Sequence, residues 1–177
     1  PMYFLIGIWG GPRRRYAAIK FFVYTNIASL VMFIGFMMLV IGLPVNSFGL
    51  PEISQSLAAG ELGSFFWLPA DTLALVAFAA MFIGFAVKVP VVPVHTWLPD
   101  AHVEAPTPVS VMLAGVLLKM GTYALLRYNY TMLPTQAEYF AVPIAIIAVV
   151  SVIYGAMLAL AQEDLKRIVA YSSVSSM

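Results

Sequence analysis

Cysteine is absent from this chain of 177 residues. Thiolate-held iron–sulfur clusters, cysteine zinc sites and disulfides are excluded together. Charge is nearly as scarce. Only 10% of the residues are Asp, Glu, Lys or Arg, against about 25% in ordinary soluble domains. Net charge is +1, and no basic stripe suited to nucleic acid exists. His95 and His102 are the only two histidines. Pro99 lies between them, which argues against a bis-histidine haem or a helical zinc pair. No phosphate-binding loop or dinucleotide fingerprint occurs. Nothing resembles a signal peptide.

What remains is apolar. Hydrophobic residues make up 62% of the chain, and the mean hydropathy is +0.94. These values place it among membrane proteins. A spanning helix needs about 20 apolar residues, and the chain divides on that measure. Residues 1–9 read as the tail of one span and Gly10–Tyr16 as a basic loop. Spans are predicted over 17–43, 72–98, 107–128 and 139–161, with a last one opening near Ile168. Residues 44–71 read as a loop carrying Glu52, Glu61 and Asp71. Pro99–Pro106 reads as a short solvated acidic turn, so Asp100, His102 and Glu104 are expected in water. The fold class is therefore all-α: a polytopic transmembrane helix bundle with one proline-broken helix. Residues 1–177 form a fragment of one membrane domain, since both ends read as interior points of longer apolar runs.

The basic residues test this map. If each span crosses once, Arg13, Arg14, Arg15, Lys20, Lys166 and Arg167 share one side and Arg127 faces the other. The positive-inside rule makes the Arg13–Arg15 loop cytoplasmic. Glu163, Asp164, Lys166 and Arg167 read as helix-end charges. Ser151, Gly155 and Ala159 recur every four residues, a spacing that lets helices approach closely.

Lys88 and Lys119 carry the chemistry. Each interrupts an apolar span, where a charge costs about 2.5–3.5 kcal/mol on insertion scales. They lie ten and twelve residues in from Leu98 and Thr107, or roughly 15–18 Å at about 1.5 Å per residue. A lysine stem cannot snorkel that far. Burial disfavours the ammonium and lowers a lysine pKa, so two lysines at one depth are suited to passing protons through water or a polar side chain. Pro90 and Pro93 fall just after Lys88. Each lacks an N–H, which is expected to free the carbonyls of Ala86 and Val89. Broken helices in membranes line protein or wet cavities and hold ion sites. His95 fits either a proton relay or an interfacial hydrogen bond. Thr25, Ser29, Tyr123 and Tyr154 offer hydroxyls that could hydrate a path.

Three runs carry a family resemblance: Phe85–His102 with Glu104-Ala105-Pro106-Thr107, Leu113–Lys119, and Asp164–Ser175. They resemble the antiporter-like subunits of respiratory complex I, and Pro1–Gly11 is similar to the subunit M (subunit 4) branch. The resemblance implies a longer subunit of about fourteen helices with two inverted five-helix repeats. It makes Lys88 the broken-helix lysine of a proton channel and Lys119 the next relay. It also implies that this chain does no redox chemistry and binds no cofactor or metal, while a NADH-quinone oxidoreductase translocase reduces quinone elsewhere. Its partners would be other membrane-arm subunits, the lipid bilayer, protons and water, in a prokaryotic cell membrane. The family's channel glutamate falls before Pro1. Ser176 stands where many members have a histidine. A cation/proton antiporter or membrane-bound hydrogenase subunit shares the same lysines and prolines. A non-translocating scaffold would gain by replacing buried lysines with leucine.

Overall fold

The computed structural model describes residues 1–44, 48–64 and 67–177. Helix α1 (Met2–Trp9) leads through a tight loop into α2 (Arg14–Gly42). A short α3 (Leu50–Ala58) follows, then α4 (Ala70–Lys88), which ends at the first proline of the break. The chain resumes as a 3-10 turn, Val94–Thr96, and α5 (Trp97–Glu104). Three further helices complete it: α6 (Thr107–Tyr130), α7 (Pro134–Leu160) and α8 (Leu165–Ser175). Among the described residues, α2, α4, α6 and α7 are long and apolar enough to cross a membrane. The all-α bundle with a proline-broken helix is what the hydropathy and the proline pattern predict.

Glycines fix how α2 and α4 meet. A Cβ on Gly84 would lie 2.8 Å from the Ala28 carbonyl oxygen, and one on Gly35 would lie 3.0 Å from that of Ala77. Gly42 is packed under the Leu73 side chain. The two helices run antiparallel with their backbones nearly touching, which only residues without a side chain allow. This register sets Lys88 level with about Asn26. Two apolar cores lie at either end of the pair. Phe21, Trp97, Leu98 and Ile6 build one at the Arg13–Arg15 end; Leu39, Phe78, Met81 and Met132 build the other.

Three sequence expectations need correction. The loop predicted over 44–71 contains α3, which Pro51 opens from a position where its missing N–H costs nothing. Ile53 on its inner face is buried against the second core. The predicted turn at Pro99–Pro106 is mostly helix, because a proline in the first turn is tolerated there as well. His102 and Glu104 are consequently buried rather than solvated, and Asp100 is ion-paired. Finally, α6 is not uniform. Wide π-type turns at Leu113–Leu117 and Leu125–Tyr130 flank a short α segment, Leu118–Ala124, that carries Lys119.

Candidate functional site

The break beside Lys88 is a chain of displaced hydrogen bonds. Pro90 has no N–H for the Ala86 carbonyl. Val91 N–H shifts back by one residue and donates to it at 3.0 Å. The expectation of a free Ala86 carbonyl is thus wrong, because the next amide takes the place of the missing one. The shift deprives Val87 of its helical donor, and the buried indole of Trp97 donates to that carbonyl instead, at 2.9 Å. Val92 N–H leaves the helix too and donates to Ser151 Oγ on α7 at 3.0 Å. Pro93 cannot donate at all. The carbonyls of Lys88 and Val89 therefore lose their helical donors, which leaves two partial negative charges at the end of α4. Ser151, which the sequence presents as a small packing residue, is the group that holds the loosened strand of backbone. Its own hydroxyl proton goes to Ile147 O at 2.8 Å. Gly155, one turn on, lets α8 approach, with the Ser175 amide nitrogen 2.9 Å from where a Cβ would stand.

Lys88 is half-buried at this end. It lines two cavities. One, of about 640 Å³, is walled on its polar side by Thr25, Asn26 and Ser29 and floored by Trp97. The other, of about 360 Å³, runs toward Leu50 between Phe36, Phe85 and Tyr128. Lys119 lines neither. A Cβ on Gly121 would touch Lys88 Cβ at 3.1 Å, so α6 turns its Gly121 face to Lys88. Lys119, two residues earlier, points about 160° away at 100° per residue, and it is exposed. The two lysines lie on adjacent crossing helices, and their side chains are not brought together.

His95 is buried on the 3-10 turn, with its ring edge-on to Tyr154 at 5.5 Å. Its Nδ1 lies toward the Pro93 carbonyl without a well-formed hydrogen bond. The neighbouring Thr96 Oγ1 meets Tyr24 OH at 3.3 Å.

Helix α5 is fastened from three directions. Lys20 donates to Asp100 Oδ2 at 2.6 Å. Arg13 N–H donates to Glu104 Oε2 at 2.9 Å, and Gly11 N–H to the Glu104 carbonyl at 2.9 Å. Lys166 Nζ reaches the Val103 and Ala105 carbonyls at 3.5 and 3.4 Å, a cation placed on the negative end of the helix. Asp164, just before it, caps α8 by accepting from Lys166 N–H at 3.0 Å. His102, in the same cluster, is held below the usual imidazole range by burial and then by the nearby Lys166 charge. Arg13, Lys20 and Lys166 thus share one end of the bundle, while Arg127 lines a cavity with Ser54 at the other.

The full chain, residues 1–177, matches the family described as NADH:quinone oxidoreductase/Mrp antiporter, TM. It is 49% identical over 177 residues to NAD(P)H-quinone oxidoreductase chain 4 2 of Thermosynechococcus vestitus. It is 44% identical to NADH-quinone oxidoreductase subunit M of Rickettsia bellii. The match covers 100% of this chain in both cases, and 31% and 34% of those proteins. The chain therefore spans about a third of the length of these relatives. Among solved structures, a chain of respiratory complex I from Thermus thermophilus with bound NADH superposes with a TM-score of 0.84. Its identity is 26%, over 99% of this chain and 35% of that one. A chain of the Mrp complex from Dietzia sp. gives 0.79 at 25% identity, over 99% of this chain and 31% of that one. The chain is an integral membrane protein and belongs to the NADH:quinone oxidoreductase/Mrp antiporter transmembrane family.

Proposed function

We propose that the chain is part of a proton-translocating, antiporter-like subunit of a complex I-type quinone oxidoreductase, with Lys88 as its central proton carrier. The observation that carries this reading is the position of Lys88. It stands where α4 ends, between two cavities and beside carbonyls stripped of their helical donors. The carbonyls of Lys88 and Val89, left without helical donors, and the Thr25, Asn26 and Ser29 side chains supply polar partners for water around it. His95 serves as the relay on the Arg13–Arg15 side. Lys119 takes the next position, reached through water or through groups outside this segment, since its side chain turns away from Lys88. In this reading the chain carries no cofactor of its own. Quinone reduction occurs in partner subunits, and the Arg13–Arg15 loop faces the cytoplasm of a prokaryotic cell. Relatives named as chain 4 and subunit M of quinone oxidoreductases, at 44–49% identity, support this reading; the solved complex I and Mrp chains, at 26% and 25%, do not separate it from the Mrp antiporter alternative.

The test is proton uptake by vesicles holding the full-length subunit in its complex, measured alongside quinone reduction. Lys88→Ala and Lys119→Ala should each impair pumping and leave assembly largely intact. Lys88→Arg should also fail, because arginine keeps the charge and does not release the proton. Parental pumping by Lys88→Arg would remove Lys88 from the path.

A further inference from the structure

The three arginines between α1 and α2 are unequally engaged. Arg13 Nε lies 3.8 Å from Glu104 Oε1. Arg14 Nη1 donates to the Ile8 carbonyl at 3.3 Å, on the negative end of α1. That uses one of its five N–H groups and leaves the others free. Arg15 has no ion pair or hydrogen bond among the described residues. Both Arg14 and Arg15 are exposed, and neither meets a carboxylate. Residues 10–16 line a cavity of about 690 Å³. The loop's amides are engaged elsewhere, Arg13 N–H by Glu104 and Arg14 N–H by the Gly11 carbonyl, so the free positive charge there belongs to side chains. Directly below the loop the surface is apolar. Ile19 and Phe22 follow Arg15 at one and two turns along α2 and are exposed. Exposed Phe4 of α1 lines the same groove as these two, and the Tyr3 ring meets Phe22 at 5.4 Å. Trp9 and Tyr16, also exposed, flank the arginines. Such rings are enriched where a membrane meets water.

We propose that this face holds one anionic phospholipid of the adjoining leaflet, with its phosphate on the Arg14 and Arg15 guanidiniums and an acyl chain along Ile19 and Phe22. The occupant must carry negative charge, because two guanidiniums stand there without a carboxylate. It must also carry an apolar part joined closely to that charge, because Arg15 heads the exposed apolar face of α2 within one turn. The chain is integral to a membrane, and a phospholipid supplies charge and chain in that order from head to tail. An acidic protein segment would answer the charge alone. Arginine in place of lysine has a use here. A guanidinium binds phosphate through paired, parallel N–H donors, whereas fixing the loop on one side of the membrane needs positive charge of either kind. Exchanging arginine for lysine therefore separates a built phosphate site from general attraction to a negative surface. The proposal stands independently of proton translocation.

The experiment uses the full-length subunit in its complex, purified in detergent and depleted of lipid. The probe is phosphatidylglycerol with a photoactivatable diazirine near the top of one acyl chain, and mass spectrometry locates the labelled peptides. The parent should be labelled within residues 4–22. Unmodified phosphatidylglycerol should compete, and phosphatidylcholine and inorganic phosphate should not. Arg14→Lys/Arg15→Lys keeps the charge, so it should assemble normally, yet its labelling in this segment should fall about tenfold. Labelling elsewhere on the complex serves as the internal standard. Should the double variant fail to assemble, Arg15→Lys alone and the competition in the parent decide. Equal labelling of parent and lysine variant would show that the loop contributes charge only, and the site would be withdrawn. Equal competition by phosphatidylcholine would remove the preference for an anionic lipid, and competition by inorganic phosphate would leave a phosphate site with no part for the chain. Absence of label from residues 4–22 in the parent, as when a neighbouring subunit covers the face, would also overturn the proposal. None of these outcomes depends on whether the subunit pumps protons.

Discussion

At the scale of single residues, the sequence shows which lysines interrupt apolar runs but not which groups surround them. Lys88 betrays itself because a charge at mid-depth in an apolar run has few explanations. Lys20 does not. It is close enough to a span end to count as a topology residue, and nothing local points eighty residues ahead to Asp100. Ser151 was hidden for a related reason. A serine at helical spacing with Gly155 reads as packing, and its real partner, the Val92 amide, exists only because Pro90 and Pro93 strip that amide of its place in a helix. Removing the hydroxyl leaves a partly buried N–H without its partner, which costs about 1 kcal/mol. Ser151→Ala should therefore lower the melting temperature of the detergent-solubilised complex. Ser151→Thr, which keeps the hydroxyl, should lower it less. Equal loss in both variants would assign Ser151 a packing role alone.

Among elements, long helices were read well and short ones poorly. Hydropathy marks α2, α6 and α7 to within about five residues of their ends and the start of α4, but the span predicted over 72–98 overruns the end of α4 at Lys88 by ten residues, across the break and into α5. The same measure cannot detect α3 or α5, whose nine and eight residues carry proline near the start and depend on tertiary contacts. The error on α5 had consequences, for it put His102 and Glu104 in water. Burial of His102 makes a prediction about acid. Its pKa in the folded chain is below the ordinary value of about 6.5, with burial the first cause and Lys166 the second. The unfolded chain binds more protons in this window, so stability should be full above pH ~6.5 and fall as the pH drops through the folded value. Melting temperatures between pH 7.5 and 5 should decline in the parent and decline less in His102→Leu. Parallel profiles would show that His102 is not the group responsible.

For the molecule as a whole, the segregation of basic residues was the most reliable signal, because it sums over many loops and tolerates errors in any one. Arg13, Lys20 and Lys166 do gather at one end, around α5, and Arg127 lies at the other. Cysteines at Arg14 and Glu163 should therefore react with an impermeant thiol reagent from the cytoplasmic side alone. Labelling of either from outside intact cells would invert the map. The relation of Lys88 to Lys119 was beyond the sequence, since depth follows from counting residues whereas azimuth depends on where α6 meets α4. The break in α4 also determines how the bundle can exchange its amide hydrogens. Amides within α4 are released only when that helix unwinds. Val92 N–H is held by one hydroxyl from α7, and it should exchange with deuterium whenever α7 draws back from the break. Its exchange rate would time the separation of two helices while the rest of the bundle stays folded.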